Sequence, residues 1–373
     1  MLVFKKVSSD PRVLDVKKFG GSLSYCIIWF RRKIEVYLNK FKYFNWPSQL
    51  SLDLPFDSGI VRKINNLDID IVHVHWVSFG FFTISELSKV SHPIVVTARD
   101  MFWMTGGCHY THKCELFKKD CDKCPGASAV FHYRIATQFK TKKDFFAKSN
   151  VNLFSISSWL KKQMLSSGIF EDSRINDIPI NVLSDDFMIQ DKITGRLELK
   201  LETDRKILLF GSIKPFTDER KGWDLFSGVC SELIKKLNFD VVVFGNENPP
   251  PDSYGFEVKC LGKVDKIKLG QIYSSADLFI SCAQQEGFGK TTIESLLCGT
   301  PVIGMNTGIM EDAISKGING YVVEDRYQLI ECIEKGLNQE WDKEKIRKQA
   351  LECFASGSEA EVYAQNYQLL INR

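Results

Sequence analysis

Short apolar runs rich in valine and isoleucine recur along this chain, and each is followed by a stretch of helical period. "DIVHVHW" (70–76), "PIVVTARD" (93–100) and "VNLFSIS" (151–157) occupy the first half, and "KILLFGS" (206–212), "FDVVVFG" (239–245), "DLFISC" (277–282) and "TPVIGMN" (300–306) the second. Runs this apolar predict strands covered on both faces. Strands alternating with helices predict parallel sheets. The segment Phe187–Asp204 is polar and interrupts the pattern. It is taken as a linker (187–204) between an N-terminal domain (1–186) and a C-terminal domain (205–356), with a last helix at 357–373. The expected class is α/β, two Rossmann-like doubly wound domains with an intervening cleft. Ligands of such sheets bind beyond the carboxyl ends of the strands.

A length of 373 residues suits two domains, and 44% hydrophobic with 25% charged residues is ordinary globular composition. No apolar run reaches eighteen residues, and the first ten lack a signal-peptide pattern. Seven of the eleven cysteines are scattered and read as reduced, buried small residues of a cytosolic protein. Residues 1–190 hold 26 Lys and Arg against 18 Asp and Glu, while the remainder is net acidic. A basic first half fits an anionic partner, either a phosphorylated acceptor or a membrane surface, and it equally fits scattered surface lysine.

"EGFGKTTIES" (286–295) looks like an ATP-binding P-loop. That loop needs a glycine five residues before Gly289, and the position holds Gln284. A strand, a glycine turn and a helix nevertheless remain, and free N–H groups at the helix start can cradle a phosphate. Glu286 and Glu294 flank this turn, one at the strand end and one a turn into the helix. Each carboxylate can accept two hydrogen bonds from sugar hydroxyls. Taken alone, the pair fits a solvated helix face better.

The whole stretch Glu286–Ile314, with Cys-Gly-Thr-Pro-Val and a later Gly-x-x-Glu-Asp, resembles the donor-site signature of the family 4 retaining glycosyltransferases. The flanking "GQIYSSADLFISC" and "NGYVVEDRYQLIECI" fit as well. The resemblance implies a GT-B fold and sugar transfer from a nucleotide-sugar donor, with no catalytic metal. It implies that Glu286 binds the donor sugar and that Glu294 holds the ribose hydroxyls. Gly287, Phe288, Gly289 and Lys290 would lie over sugar and diphosphate. In "GSIKPFTDERKGWDLF" (211–226) the family's Gly-Arg pair is Gly211-Ser212, while Lys221-Gly222 keeps the family's lysine. Arg220 is expected to supply the missing charge, and Arg220 and Lys221 to stabilise the departing diphosphate. Gly262 and Val264 would border the base. A solvent-exposed basic turn is the alternative for this loop.

His73 and His75 share one face of the strand "DIVHVHW". On their own such histidines are more often packed than catalytic. The resemblance places them, with Arg99 and Asp100, on the acceptor side of the cleft in the first domain. Many relatives carry histidine where Arg99 stands. Arginine stays cationic and shuttles no proton, so Arg99 is expected to stabilise phosphate and Asp100 to orient it or bind acceptor. A retaining transferase can use the leaving phosphate as base.

Cys108, Cys114, Cys121 and Cys124 are spaced C-x5-C-x6-C-x2-C. Four thiolates so close can form a closed structural zinc site, with His109 and His112 as spare ligands. A disulfide or redox pair and unligated thiols are the other two readings. The cluster resembles one branch of the family, associated with capsule, colanic-acid-like and O-antigen assembly, and this implies a glycan or polyprenyl-linked acceptor.

The opening "MLVFKKVSSDPRVLDV" resembles the segment after the family's first strand–loop–helix, and that unit is expected to be missing. Ser24–Phe44 has helical spacing at Ile27, Phe30, Ile34, Tyr37, Leu38 and Phe41, with Arg31, Arg32, Lys33 and Lys40 between them. It reads either as a helix on an anionic bilayer or as a core helix with a basic outer face. The final "SEAEVYAQNYQLLINR" is expected to return to the first domain. Three other readings stand beside the transferase: a nucleotide-sugar epimerase, a zinc-stapled binding module, and a transferase impaired by truncation. No nucleic-acid motif is present, and the expected location is cytoplasmic, peripheral at the inner membrane face.

Overall fold

The computed structural model describes residues 1–40, 49–148, 151–178, 180, 182, 184–245, 254–354 and 358–372. The chain divides into two compact units. The first contains Met1–Ile156, Leu160–Asp177 and Ala364–Arg373, and the second Ser157–Trp159 and Ile178–Tyr363.

In the first unit a two-stranded parallel pair, β1 (Leu2–Val3) and β2 (Leu14–Asp15), leads into the long helix α1 (Val16–Lys40). Helix α2 (Ile60–Asn65) precedes β3 (Val72–Val74). Then come α3 (Ile84–Leu87), β4 (Ile94–Ala98), α4 (His132–Phe146), β5 (Val151–Ser155), α5 (Ser158–Ser166) and β6 (Ile175–Asp177). The sheet runs β3-β4-β5-β6, all parallel. All five residues of β4 are buried, as a central strand covered on both faces requires.

Helix α1 starts before the segment in which the sequence places a helix. Its buried stripe is Val16, Gly20, Ser24, Ile28, Arg31 and Glu35 rather than the apolar set Phe30 and Tyr37, which are exposed. Arg31 is fully buried because Glu86 pairs with it at 2.7 Å and the Phe56 and Phe81 carbonyls accept from it at 3.0 and 3.1 Å. Phe41 lies outside the described residues.

The second unit opens with α6 (Lys192–Glu198) inside the polar segment read as a linker. Arg196 and Lys192 of α6 each reach Asp277 at 2.7 Å, and Asp277 also accepts from Ile207 N. There follow β7 (Lys206–Gly211), α7 (Trp223–Leu233), β8 (Phe239–Phe244), β9 (Val258–Cys260), α8 (Lys266–Ser275), β10 (Leu278–Ser281) and α9 (Lys290–Leu297). The unit continues through β11 (Val302–Met305), α10 (Met310–Ala313), β12 (Gly320–Val323), α11 (Arg326–Asn338) and α12 (Lys343–Phe354). Six parallel strands run β12-β11-β10-β7-β8-β9. This is the doubly wound order that reverses between the first and fourth strands, here β7 and β10. Phe210, Phe226, Val241, Ile280 and Ile333 are among its core residues.

The last helix, α13 (Ser358–Ile371), passes from the second unit to the first. None of the eleven cysteines is in a disulfide. Cys26 and Cys353 are exposed, against the expectation that the scattered cysteines are all buried, because each lies on the outer side of a helix.

Candidate functional site

The sheet order of the second unit selects one place for a ligand, beyond the carboxyl ends of β7 and β10 where the winding reverses. Gly211 ends β7, and "EGFGK" follows β10. The loop after β7 carries a short turn, Glu219–Lys221, capped by Asp218. Gly222 follows it with φ 76°, and a Cβ there would stand 2.1 Å from the Cys282 carbonyl oxygen. Gln284 N donates to Arg220 O at 2.8 Å. Glycine is therefore what lets this loop lie flat on the end of β10.

That packing brings Lys221 to Glu286, and the two form an ion pair with both side chains about three-quarters buried. Arg220 turns instead to Asp218, Nη2 to Oδ2 at 2.6 Å. The sequence reading paired Arg220 with the departing phosphate and missed this carboxylate, although an Asp two residues before an Arg on a turn is a legible signal.

Helix α9 begins at Gly289, whose φ is 95° and which offers no capping side chain. Thr292 N closes onto Gly289 O at 3.0 Å, and no side chain of Gly289 caps the N–H groups ahead of it. Lys290 is its first residue and is exposed. The preceding turn is tied down by Ile309 N, which donates to Phe288 O at 2.6 Å, and by Thr307 Oγ1, which donates to Ala283 O at 2.9 Å. Phe288 and Gly287 are buried beneath it. Glu294 accepts from the Tyr273 hydroxyl at 3.1 Å. Burial pushes its carboxyl above the usual range, against the pull of Tyr273, Lys290 and Lys266. Tyr273 stands in the flanking "GQIYSSADLFISC", where the sequence assigns it no role. Gly262, with φ 66° and open space around it, accepts from Gly245 N at 3.0 Å, and half-buried Val264 leads into α8.

In the first unit the carboxyl ends of β3 and β4 gather the other candidates. The His73 and His75 rings lie 4.0 Å apart. His73 bonds Tyr367 of α13 through Nδ1 and Thr97 through Nε2 at 2.9 Å. Arg99 Nη2 approaches His75 Nδ1 at 3.3 Å. Burial, then neighbouring positive charge, pushes both histidines down, to about 3 and about 4, so both are neutral at physiological pH. Asp100 accepts from Phe102 N at 2.9 Å and from His109 Nδ1 at 2.7 Å. His109 Nε2 meets Ser51 Oγ at 3.1 Å. The ring expected as a spare zinc ligand is thus committed to a carboxylate and a hydroxyl.

The zinc expectation concerns Cys108, Cys114, Cys121 and Cys124. Among the described residues no group of three or more His, Cys, Asp and Glu is placed to hold a metal. The Cys108 and Cys124 thiols are hydrogen-bonded to one another, and Cys121 Sγ accepts from Gly106 N at 3.1 Å. Cys114 is only half-buried. Lys142 is fully buried and donates to Phe102 O and, at 2.9 Å, to Thr105 O, while Leu50 bridges to Cys108. A buried lysine thus ties the start of this segment to α4.

With this geometry in hand, residues 204–339 match the family described as Glycosyl transferases group 1. The chain carries a group 1 glycosyl transferase domain. It is 26% identical over 168 residues to a D-inositol 3-phosphate glycosyltransferase of Segniliparus rotundus, a match spanning 41% of this chain and only 36% of that protein. It is 22% identical over 319 residues to an uncharacterized 41.2 kDa protein in the cps region of Klebsiella pneumoniae, covering 83% of this chain and 81% of that one. Anabaena HepE, solved with UDP-glucose, superimposes with a TM-score of 0.59 at 13% identity, over 93% of this chain and 96% of that one. The fold is GT-B, with the group 1 domain forming most of the second unit.

Proposed function

We propose that this protein transfers a sugar, with retention, from a nucleotide-sugar to a glycan or polyprenyl-linked acceptor in cell-surface polysaccharide assembly. The observation that carries the reading is the placement of Lys221, Glu286 and Glu294 around the β7/β10 reversal of a group 1 domain. In this reading Glu294, braced by Tyr273, accepts from the ribose hydroxyls. The open N–H groups of α9 and Lys290 meet the diphosphate, and Gly262 and Val264 flank the base. Glu286 holds the donor sugar. Breaking the bond from the sugar C1 to the diphosphate oxygen leaves negative charge on that phosphate, which Lys221 then stabilises. The acceptor oxygen bonds to C1 and its proton passes to the leaving phosphate. Arg220, already neutralised in part by Asp218, shapes the loop that presents Lys221. Arg99 adds positive charge on the acceptor side, held against neutral His75. Asp100 is filled by His109 and Phe102 N and acts as a positioning residue. The HepE complex supports a uridine nucleotide, and the cps-region relative accords with a surface polysaccharide.

Steady-state transfer with purified Glu286→Ala tests the reading. Turnover falls by ~100-fold or more, as for loss of a group acting at the reacting centre, while nucleoside diphosphate affinity changes little. An unchanged turnover number would remove Glu286 from the site.

A further inference from the structure

The outer face of α1 is the most anomalous surface of the molecule. Beyond a break at Gly21 (φ 83°, ψ 176°), counting turns of 3.6 residues places Ser24, Ile28, Arg31 and Glu35 on one arc, and all are buried. Leu23, Cys26, Trp29, Phe30, Lys33, Val36, Tyr37 and Lys40 fall on the opposite arc, and every one is exposed. The five large apolar side chains among them are between 46% and 75% exposed. The helix is therefore inverted along this stretch, with Arg31 and Glu35 inward and Trp29, Phe30 and Tyr37 outward. A groove of about 430 Å³ between Cys26, Ile27, Phe30 and the Pro55–Asp57 turn extends the same patch.

Charge says what fits this face. The only acid of α1, Glu35, is 1% exposed and points inward. Lys33 and Lys40 lie within the apolar stripe, and Lys33 Nζ sits 5.3 Å from the Trp29 ring centre. At the edge of the patch Asp57 is already paired with Lys89 at 2.7 Å. A second copy of this face would set lysine against lysine with no carboxylate between them. Exposed tryptophan, phenylalanine and tyrosine with lysines standing among them, whose stems can reach headgroups while the rings enter the boundary, match an anionic lipid interface. Among the described residues no helix is long and apolar enough to cross a membrane, so such a face would lie on the surface.

We infer that the exposed face of α1, formed by Trp29, Phe30, Val36 and Tyr37 with Lys33 and Lys40 among them, docks this protein on an anionic lipid bilayer. It deepens the proposal of a lipid-linked acceptor, because it holds the first unit against the phase in which such an acceptor resides. The inference and the donor-site reading fail separately, since vesicle binding needs no nucleotide and nucleotide binding needs no vesicle.

The full chain is sedimented with vesicles of phosphatidylcholine alone or with about one-third phosphatidylglycerol, alongside Trp29→Ser/Phe30→Ser and Lys33→Glu/Lys40→Glu. All the substituted side chains are exposed, and an unchanged far-ultraviolet circular dichroism spectrum and melting temperature verify the fold. Wild type binds the anionic vesicles, the aromatic variant binds them at least ~10-fold more weakly, and the charge variant loses the preference for phosphatidylglycerol. Absent binding by wild type, or equal binding by both variants, overturns the inference. So does a dimer in light scattering that the aromatic variant dissolves, because the face then belongs to a second copy.

Discussion

At the scale of single residues, burial decides which carboxylates can work at neutral pH. Glu294 is pushed upward by burial, so nucleotide binding through its anionic form weakens as pH falls through the raised value. Glu294→Ala lowers nucleoside diphosphate affinity by ~1.5–3 kcal/mol, the loss of charged hydrogen bonds, in isothermal titration. Retained affinity would take the ribose away from this residue. Glu35 is pushed to about 8, chiefly by burial. A carboxyl raised in the folded state contributes stability that is fully present below its ordinary value near 4.5 and lost as pH rises toward 8. Between those limits wild type loses up to ~1.4 kcal/mol per pH unit relative to Glu35→Gln in urea titrations. Parallel curves for the two proteins would show that Glu35 ionises normally.

At the scale of elements, the loops are as specified as the strands. Gly222 is locked by a positive φ and by the Cys282 carbonyl. Gly222→Ala is expected to cost ~1–3 kcal/mol in thermal melting and to raise the Michaelis constant for the donor, because Lys221 is its neighbour. A melting temperature equal to wild type would mean the loop relaxes freely. The same scale explains what the sequence disclosed. Six of the seven apolar runs became central parallel strands covered on both faces, and the seventh, β3, lies at a sheet edge. Ile175–Asp177, Val258–Cys260 and Gly320–Val323 were not read as strands: all three are short sheet edges, and the first two carry exposed or half-buried residues. The inversion of α1 was hidden because Arg31 and Glu35 read as surface charges until Glu86 and Leu52 N supply their partners. The cysteine spacing suggested a metal, and it gave no sign of the buried amine of Lys142 that ties the start of the segment to α4.

At the scale of the whole molecule, the site is a consequence of winding. Six parallel strands whose winding order reverses between β7 and β10 leave one place where loops from both halves diverge, and the sequence motif falls there. The donor-side glutamates, the lysine and the glycine turn were all readable from spacing. Their braces, Tyr273 and Asp218, stand inside the quoted segments, but spacing alone does not show that Tyr273 meets Glu294 or that Asp218 takes Arg220. The central claim is that the second unit is a nucleotide-sugar donor domain. It is tested most directly by thermal melting of the purified chain with a panel of nucleoside diphosphates, run in parallel on Glu294→Ala. One nucleotide at a hundred times its dissociation constant should stabilise wild type by about 2.7 kcal/mol and the variant much less. A folded protein whose melting is unmoved by every nucleoside diphosphate would contradict the account.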